Sequence, residues 1–344
     1  MRKDRVSRAV LCSIVLAVTW FAVALPEAAA AESSPYMFIR ADIGTRTGQL
    51  GISTLTDIND KGKVMGAFSN SEMGPHGYVL NKNLHPSYVR CSKNVVATTP
   101  QSINTRGEIA GFASVVVERI KLDEAPFEIV ITKVSGFFLN SDGKCRILDF
   151  PAAELTEALG LNDNGQVVGD YRDAAGKYHG FIWEDGAFHS FDVPVEDAAG
   201  TALNQINNSG QILGIYWDNS GNQGEFVSDN GSFSILPGFP GALFTEATDI
   251  NDRGQIVGKY ADGDGVFHGF IFENGSFSTI DVPFPEAVHT VLSGINNRGQ
   301  VVGSYLASNP DDQLNPYPSY GFIAAPNGEA TLLAAAQQKK SKSR

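Results

Sequence analysis

One short segment returns six times along the chain, and it restricts the fold more than any other feature. It reads Ile58-Asn59-Asp60-Lys61-Gly62, Ile103-Asn104-Thr105-Arg106-Gly107, Leu161-Asn162-Asp163-Asn164-Gly165, Ile206-Asn207-Asn208-Ser209-Gly210, Ile250-Asn251-Asp252-Arg253-Gly254 and Ile295-Asn296-Asn297-Arg298-Gly299. Successive asparagines lie 45, 58, 45, 44 and 45 residues apart. Asn at the head of a turn accepts hydrogen bonds from its own backbone, and Gly at the end takes the left-handed conformation. A type I turn closed by such a Gly joins two antiparallel strands. Apolar residues follow each turn, at Val64, Ile109, Val167, Ile212, Ile256 and Val301, and then a second Gly.

The rest of the unit is also strand-like. His179-Gly180-Phe181-Ile182-Trp183 is matched by His268-Gly269-Phe270-Ile271-Phe272 and by His76-Gly77-Tyr78-Val79-Leu80. Phe188-His189-Ser190-Phe191-Asp192-Val193-Pro194 is matched by Phe277-Ser278-Thr279-Ile280-Asp281-Val282-Pro283. Each unit thus predicts about four short strands, with Gly or Asn at the corners. No helical periodicity runs through 32–336.

Four antiparallel strands at this period are the signature of a propeller blade. A lone four-stranded sheet cannot bury both faces, whereas blades stacked around an axis bury them against each other. The expected architecture is all-β: a β-propeller of six four-stranded blades over 32–336, closed by an N-terminal strand. Another repetitive β fold, separate sandwiches or a seventh blade are the alternatives. The segment Tyr36 to Ile43 resembles the strand that finishes a unit, and its expected partner lies near Gly328 to Leu333. Unit two carries an insertion from Val115 to Ile131 that reads as an extended hairpin. Unit six is interrupted from Asn309 to Pro318 by a proline-rich polar loop.

The N-terminus predicts export. Arg2, Lys3, Arg5 and Arg8 precede an apolar run from Ala9 to Leu25, and Ala28-Ala29-Ala30-Ala31 supplies a small-residue cleavage site. Residues 1–31 are expected to be a secretory signal peptide, which places the mature chain in the periplasm or outside the cell. No second stretch is long and apolar enough for a membrane span. Residues 337–344 read as a basic disordered tail. The full chain carries a net charge of -12. Loss of four basic and two acidic residues with the leader takes this to about -14, which repels phosphate backbones and argues against nucleic acid as a partner. Cys91 and Cys145 remain in neighbouring units, and an oxidising compartment permits one bridge between them.

The pattern I-N-x-x-G-Q-V-V-G followed by H-G-F-I resembles the HAF-repeat extracellular proteins of bacteria. Their His-Ala-Phe tripeptide appears here as His76-Gly77-Tyr78, His179-Gly180-Phe181 and His268-Gly269-Phe270, with Ser135-Gly136-Phe137 and Tyr320-Gly321-Phe322 as weaker copies. Unit four departs further, at Gln223-Gly224-Glu225-Phe226. The likeness covers roughly 38–333. It implies repeats and export, and no general activity comes with it. The chain ends in Lys339, Lys340, Lys342 and Arg344 with no apolar stretch before them, so the C-terminal sorting found in relatives is not expected.

No reactive constellation stands out. His76, His179 and His268 occupy equivalent places in separate units, so a structural role in the neighbouring turn is expected ahead of metal ligation. Asp262-Gly263-Asp264-Gly265 lacks the ligand pattern of a calcium loop and reads as a turn. Asp311-Asp312 is a carboxylate pair of unknown geometry. Trp183, Trp217, Tyr171, Tyr216 and Tyr260 read as core packing, with sugar stacking as the rival. No catalytic residue, cofactor or metal is assigned. The expected function is a monomeric, non-catalytic ligand-binding or scaffold module with a carbohydrate or protein ligand. The alternatives are a hydrolase or lyase acting on a glycan-like polymer, with residues from several blades converging at one end of the channel, and a purely structural envelope role.

Overall fold

Every one of the six repeated turns joins two strands. Gly62, Gly107, Gly165, Gly210, Gly254 and Gly299 all have positive φ, between 71° and 83°. The computed structural model describes residues 35–41, 52–70, 74–81, 84–92, 94–121, 128–309 and 317–327. The expected leader and basic tail lie outside these, as does the carboxylate pair at 311 and 312.

The described strands form six separate antiparallel sheets of four. Five of these blades run consecutively along the chain. Blade three, for example, is Leu155–Leu161, Val167–Arg172, Tyr178–Glu184 and Ala187–Phe191. Blade five is Phe244–Ile250, Ile256–Ala261, Phe267–Glu273 and Ser276–Ile280. Blade six takes three strands from the C-terminal side, and its fourth is Tyr36–Arg40 from the other end of the chain. The molecule is therefore a six-bladed β-propeller closed by strands from both termini.

The closing strand pairs with Ser319–Pro326, from Tyr36 opposite Pro326 to Arg40 opposite Phe322. The partner expected near 328–333 lies outside the described residues, and the observed one comes before it in the chain. The correction has a simple cause. The interrupting loop delays the third strand of blade six to Ser319, so the third-strand edge is what the N-terminal strand meets.

All six innermost strands carry a bulge at the same place, two to four residues before the turn asparagine. The register slips between Leu55/Asp57, Pro100/Ser102, Ala158/Gly160, Leu203/Gln205, Ala247/Asp249 and Leu292/Gly294. A bulge bends the strand and re-aims a side chain. Here it places the residue two before the asparagine at the channel.

Blade-to-blade packing explains the Gly of the His-Gly-Phe motif. A Cβ on Gly180 would collide with Leu203 from the first strand of blade four, and one on Gly269 with Leu292 of blade six. The Phe that follows is fully buried in its own blade (Phe181 0%, Phe270 1%). At the corresponding place blade four has Glu225 and the next blade answers with Ala247, so the larger side chain faces the smaller one. Each interface is an apolar cluster of this kind, and together they form the core of the ring.

The bridge that the sequence left open is present. Cys91 and Cys145 form a disulfide, with Cα atoms 5.0 Å apart. It ties the connection entering blade two to that blade's outermost strand, Cys145–Leu148.

Candidate functional site

The six turn asparagines do more than shape their turns. Each Nδ2 donates to the backbone carbonyl of the asparagine in the next blade: Asn59 to Asn104, Asn104 to Asn162, Asn162 to Asn207, Asn207 to Asn251, Asn251 to Asn296 and Asn296 back to Asn59. The distances run from 2.7 to 3.2 Å, so the bonds close a complete circle around the channel. Each Oδ1 accepts two N–H groups of its own turn, as Asn207 does from Ser209 and Gln211. The Gln that follows Gly in the motif takes the second amide hydrogen, for instance from Asn207 to Gln211 at 2.8 Å. The repeated I-N-x-x-G-Q is thus a closure device. Sequence reasoning found the turn bonds but could not see the bonds between blades.

Below this circle the channel is filled. Asp57 accepts from the Ile58 and Ile103 amides at 2.6 and 2.7 Å and from Ser102 Oγ at 3.0 Å. Asp249 accepts from the Ile250 and Ile295 amides at 2.8 and 2.7 Å. Burial pushes the pKa of both carboxyls up, and the charge of Asp57 adds to the effect on Asp249. The space left at this mouth is about 70 Å³. That is room for a few waters, well short of the several hundred Å³ of a small-molecule site.

The histidines are spent within their own blades. His179 Nδ1 lies 2.9 Å from Asp192, and Nε2 lies 3.3 Å from Asp173. His268 repeats this with Asp281 at 2.7 Å and Asp262 at 3.2 Å. His76 packs on the ring of Phe68. Each doubly bonded imidazole ties the turn after the second strand to the exit from the fourth. Asp262 also caps that turn, accepting from the Asp264 and Val266 amides; burial acts to raise its carboxyl pKa, and the bonds from Val266, His268 and Asp264 outweigh it and leave the pKa lowered. The aromatic residues act as packing. Tyr171 stacks on Phe150 and Tyr260 on Phe239, both at 3.6 Å, while Trp183 packs on Phe138 and under Arg146.

Two features remain that the fold does not require. The first is the insertion in blade two, which forms the hairpin the sequence predicted. Its strands Ile109–Lys121 and Glu128–Leu139 run well past the blade, paired out to Lys121 opposite Glu128. Val117 is 58% exposed, and Ile129, Val130 and Ile131 are 40 to 44% exposed. Pairing with the flanking strands stops at Val115 and Gly136, so beyond them the ribbon has no other strand beside it among the described residues.

The second feature is a carboxylate pair on the two innermost strands of blade three. Glu157 and Asp170 are directly opposed in the register and so share one side of the sheet. Asp170 is 4% exposed, and its Oδ2 has no hydrogen-bond partner. Burial, and then the charge of Glu157, hold the Asp170 carboxyl well above the usual carboxylate range. Burial raises Glu157 to about 7. Sequence reasoning missed both residues. The available signal was the comparison of units: Val168-Gly169-Asp170-Tyr171 stands where blade five has Val257-Gly258-Lys259-Tyr260.

Comparison with family profiles finds no match, and comparison with curated proteins finds none either. Solved structures match the chain at low identity. TolB from Acinetobacter baumannii is 13% identical, with a TM-score of 0.47 over 67% of this chain and 53% of that one. Trypanosoma rangeli sialidase is 9% identical, with a TM-score of 0.45 over 86% of this chain and 57% of its own length. AofleA from Arthrobotrys oligospora is 14% identical, with a TM-score of 0.49 over 84% and 85%. This chain therefore spans little more than half the length of the first two. All three TM-scores lie below 0.5, and these likenesses carry no argument about this chain.

Proposed function

We propose that the protein is an extracytoplasmic, non-catalytic binding module that takes a protein partner along the ribbon of blade two. The observation that carries this reading is the exposure of Val117, Ile129, Val130 and Ile131 on strands that leave the ring. Exposed apolar side chains on a two-stranded ribbon that projects from the ring suit docking of a partner chain. The disulfide fixes the blade from which the ribbon projects and fits an oxidising compartment. The channel mouth, at about 70 Å³, is too small for a sugar.

A photo-crosslinking residue at position 130 in the producing cell tests this. A discrete covalent adduct is expected, lost when Ile129→Thr and Ile131→Asp are combined. Equal labelling from a control at position 185 in blade three, or an adduct indifferent to the double variant, would count against it. Glu157 and Asp170, opposed on neighbouring strands, are the acidic pair that a second reading, hydrolysis of a glycan-like polymer, would use. On that reading Glu157→Gln lowers the release of reducing ends by about 100-fold or more.

A further inference from the structure

We propose that Glu157 and Asp170 form a site for one hard divalent cation of the calcium type at the inner edge of blade three. Two carboxylates face one side of neighbouring strands, directly opposed. The inner one is sealed from solvent, and one of its oxygens meets no donor. An ionised carboxylate oxygen buried without a donor is strongly unfavourable, and it is relieved either by a proton or by a bound cation.

Blade five supplies the internal control. Its two innermost strands place Glu246 opposite Lys259, and the Lys259 ammonium lies 3.1 Å from the Glu246 carboxylate. The equivalent position in the two sheets thus holds a fixed cation in blade five and a second carboxylate in blade three. The one basic side chain close by in sequence does not fill the gap, since Arg172 reaches outward to Glu154 at 3.0 Å. Glu157 is only half-buried, which leaves a route for an ion from solvent.

The donor set selects the ion. Two carboxylates balance a double positive charge, and oxygen-only ligation favours calcium over softer metals. No group of three or more His, Cys, Asp or Glu side chains is arranged for a metal among the described residues. Backbone carbonyls and water would complete the shell, as in weak extracellular sites with Kd of about 10⁻⁴ to 10⁻³ M.

The test is thermal unfolding of the full chain in EDTA and in CaCl2, with terbium luminescence as a direct binding signal. About 10 mM CaCl2 is expected to raise Tm by about 4 °C. Asp170→Lys, which copies blade five, should fold and lose both the shift and the terbium signal. Asp170→Asn and Glu157→Gln keep the test decisive if the lysine variant fails to fold. A calcium shift retained in the Asp170 and Glu157 variants overturns the proposal, because the ion then binds elsewhere. So does a parent protein that shows neither shift nor luminescence at pH 8. None of these outcomes bears on the ribbon of blade two.

Discussion

Blades three and five repeat the same side-chain contacts around their outer turns and differ at one opposed pair on their two innermost strands. Both tie a turn to a strand exit through a histidine between two aspartates. Both stack a tyrosine on a phenylalanine from the preceding connection. Both hydrogen-bond that tyrosine to a hydroxyl on the fourth strand, Ser190 or Thr279. Yet Lys259 neutralises Glu246 in blade five, while Asp170 confronts Glu157 in blade three. The blade fold is satisfied by the ion pair. The like-charged pair is therefore an addition to the fold, and that separates it from the histidines and aromatics, which recur wherever the blade needs them.

The strongest way to sharpen this comparison is to move the packing between interfaces. Gly180→Glu forces a side chain into the space of Leu203 and should cost about 3 kcal/mol or more in denaturant unfolding. Adding Leu203→Ala reproduces the Glu225/Ala247 arrangement of the next interface and should restore part of that loss. A double variant no better than the single would break the account of how blades interlock.

Lys259→Asp gives blade five the pair found in blade three. It should lower stability by about 2 kcal/mol, since a part-buried carboxylate loses its partner and gains a like charge. Asp170→Lys does the reverse and should raise stability in EDTA by about 1 kcal/mol. Equal effects of opposite sign are not expected, because Asp170 is the more deeply buried of the two.

The smallest effect concerns His268. Its bond to Asp281, then that carboxylate's charge, raises its pKa against the opposing effect of burial. A folded-state pKa above the unfolded value stabilises at low pH and is lost as pH climbs through the folded value. His268→Ala should therefore cost more at pH 5.5 than at pH 9, by about 0.5 kcal/mol given its exposure. Buried Glu225, raised to about 7, has the same sign, so the parent should also lose thermal stability as pH passes through 7. Unfolding midpoints across pH check both statements.

The ring was legible because its repeat is a local device written six times. Turn glycines, alternating apolar residues and Gly-Phe pairs are each fixed within a few residues, and the blade count follows from counting Ile-Asn turns. The hairpin of blade two was legible for the same reason. The partner of the closing strand was not, because pairing between Tyr36 and Pro326 depends on where an interrupted unit resumes. The carboxylate pair was hidden too. Glu157 and Asp170 lie 13 residues apart, and only the register makes them neighbours. Asp170 occupies a strand position that is Lys259 in one blade and Ile215 in another, so no periodic pattern marks it.

The fastening of blade six sets the order in which the molecule can be completed. The strand that seals the ring precedes every other described strand in the chain, and its docking edge, Ser319–Pro326, follows them all. Early blades must wait with an apolar flank uncovered until that edge exists. Completion therefore takes a long-range encounter rather than growth from one end, and the amide circle around the channel likewise closes only where Asn296 of blade six meets Asn59 of blade one.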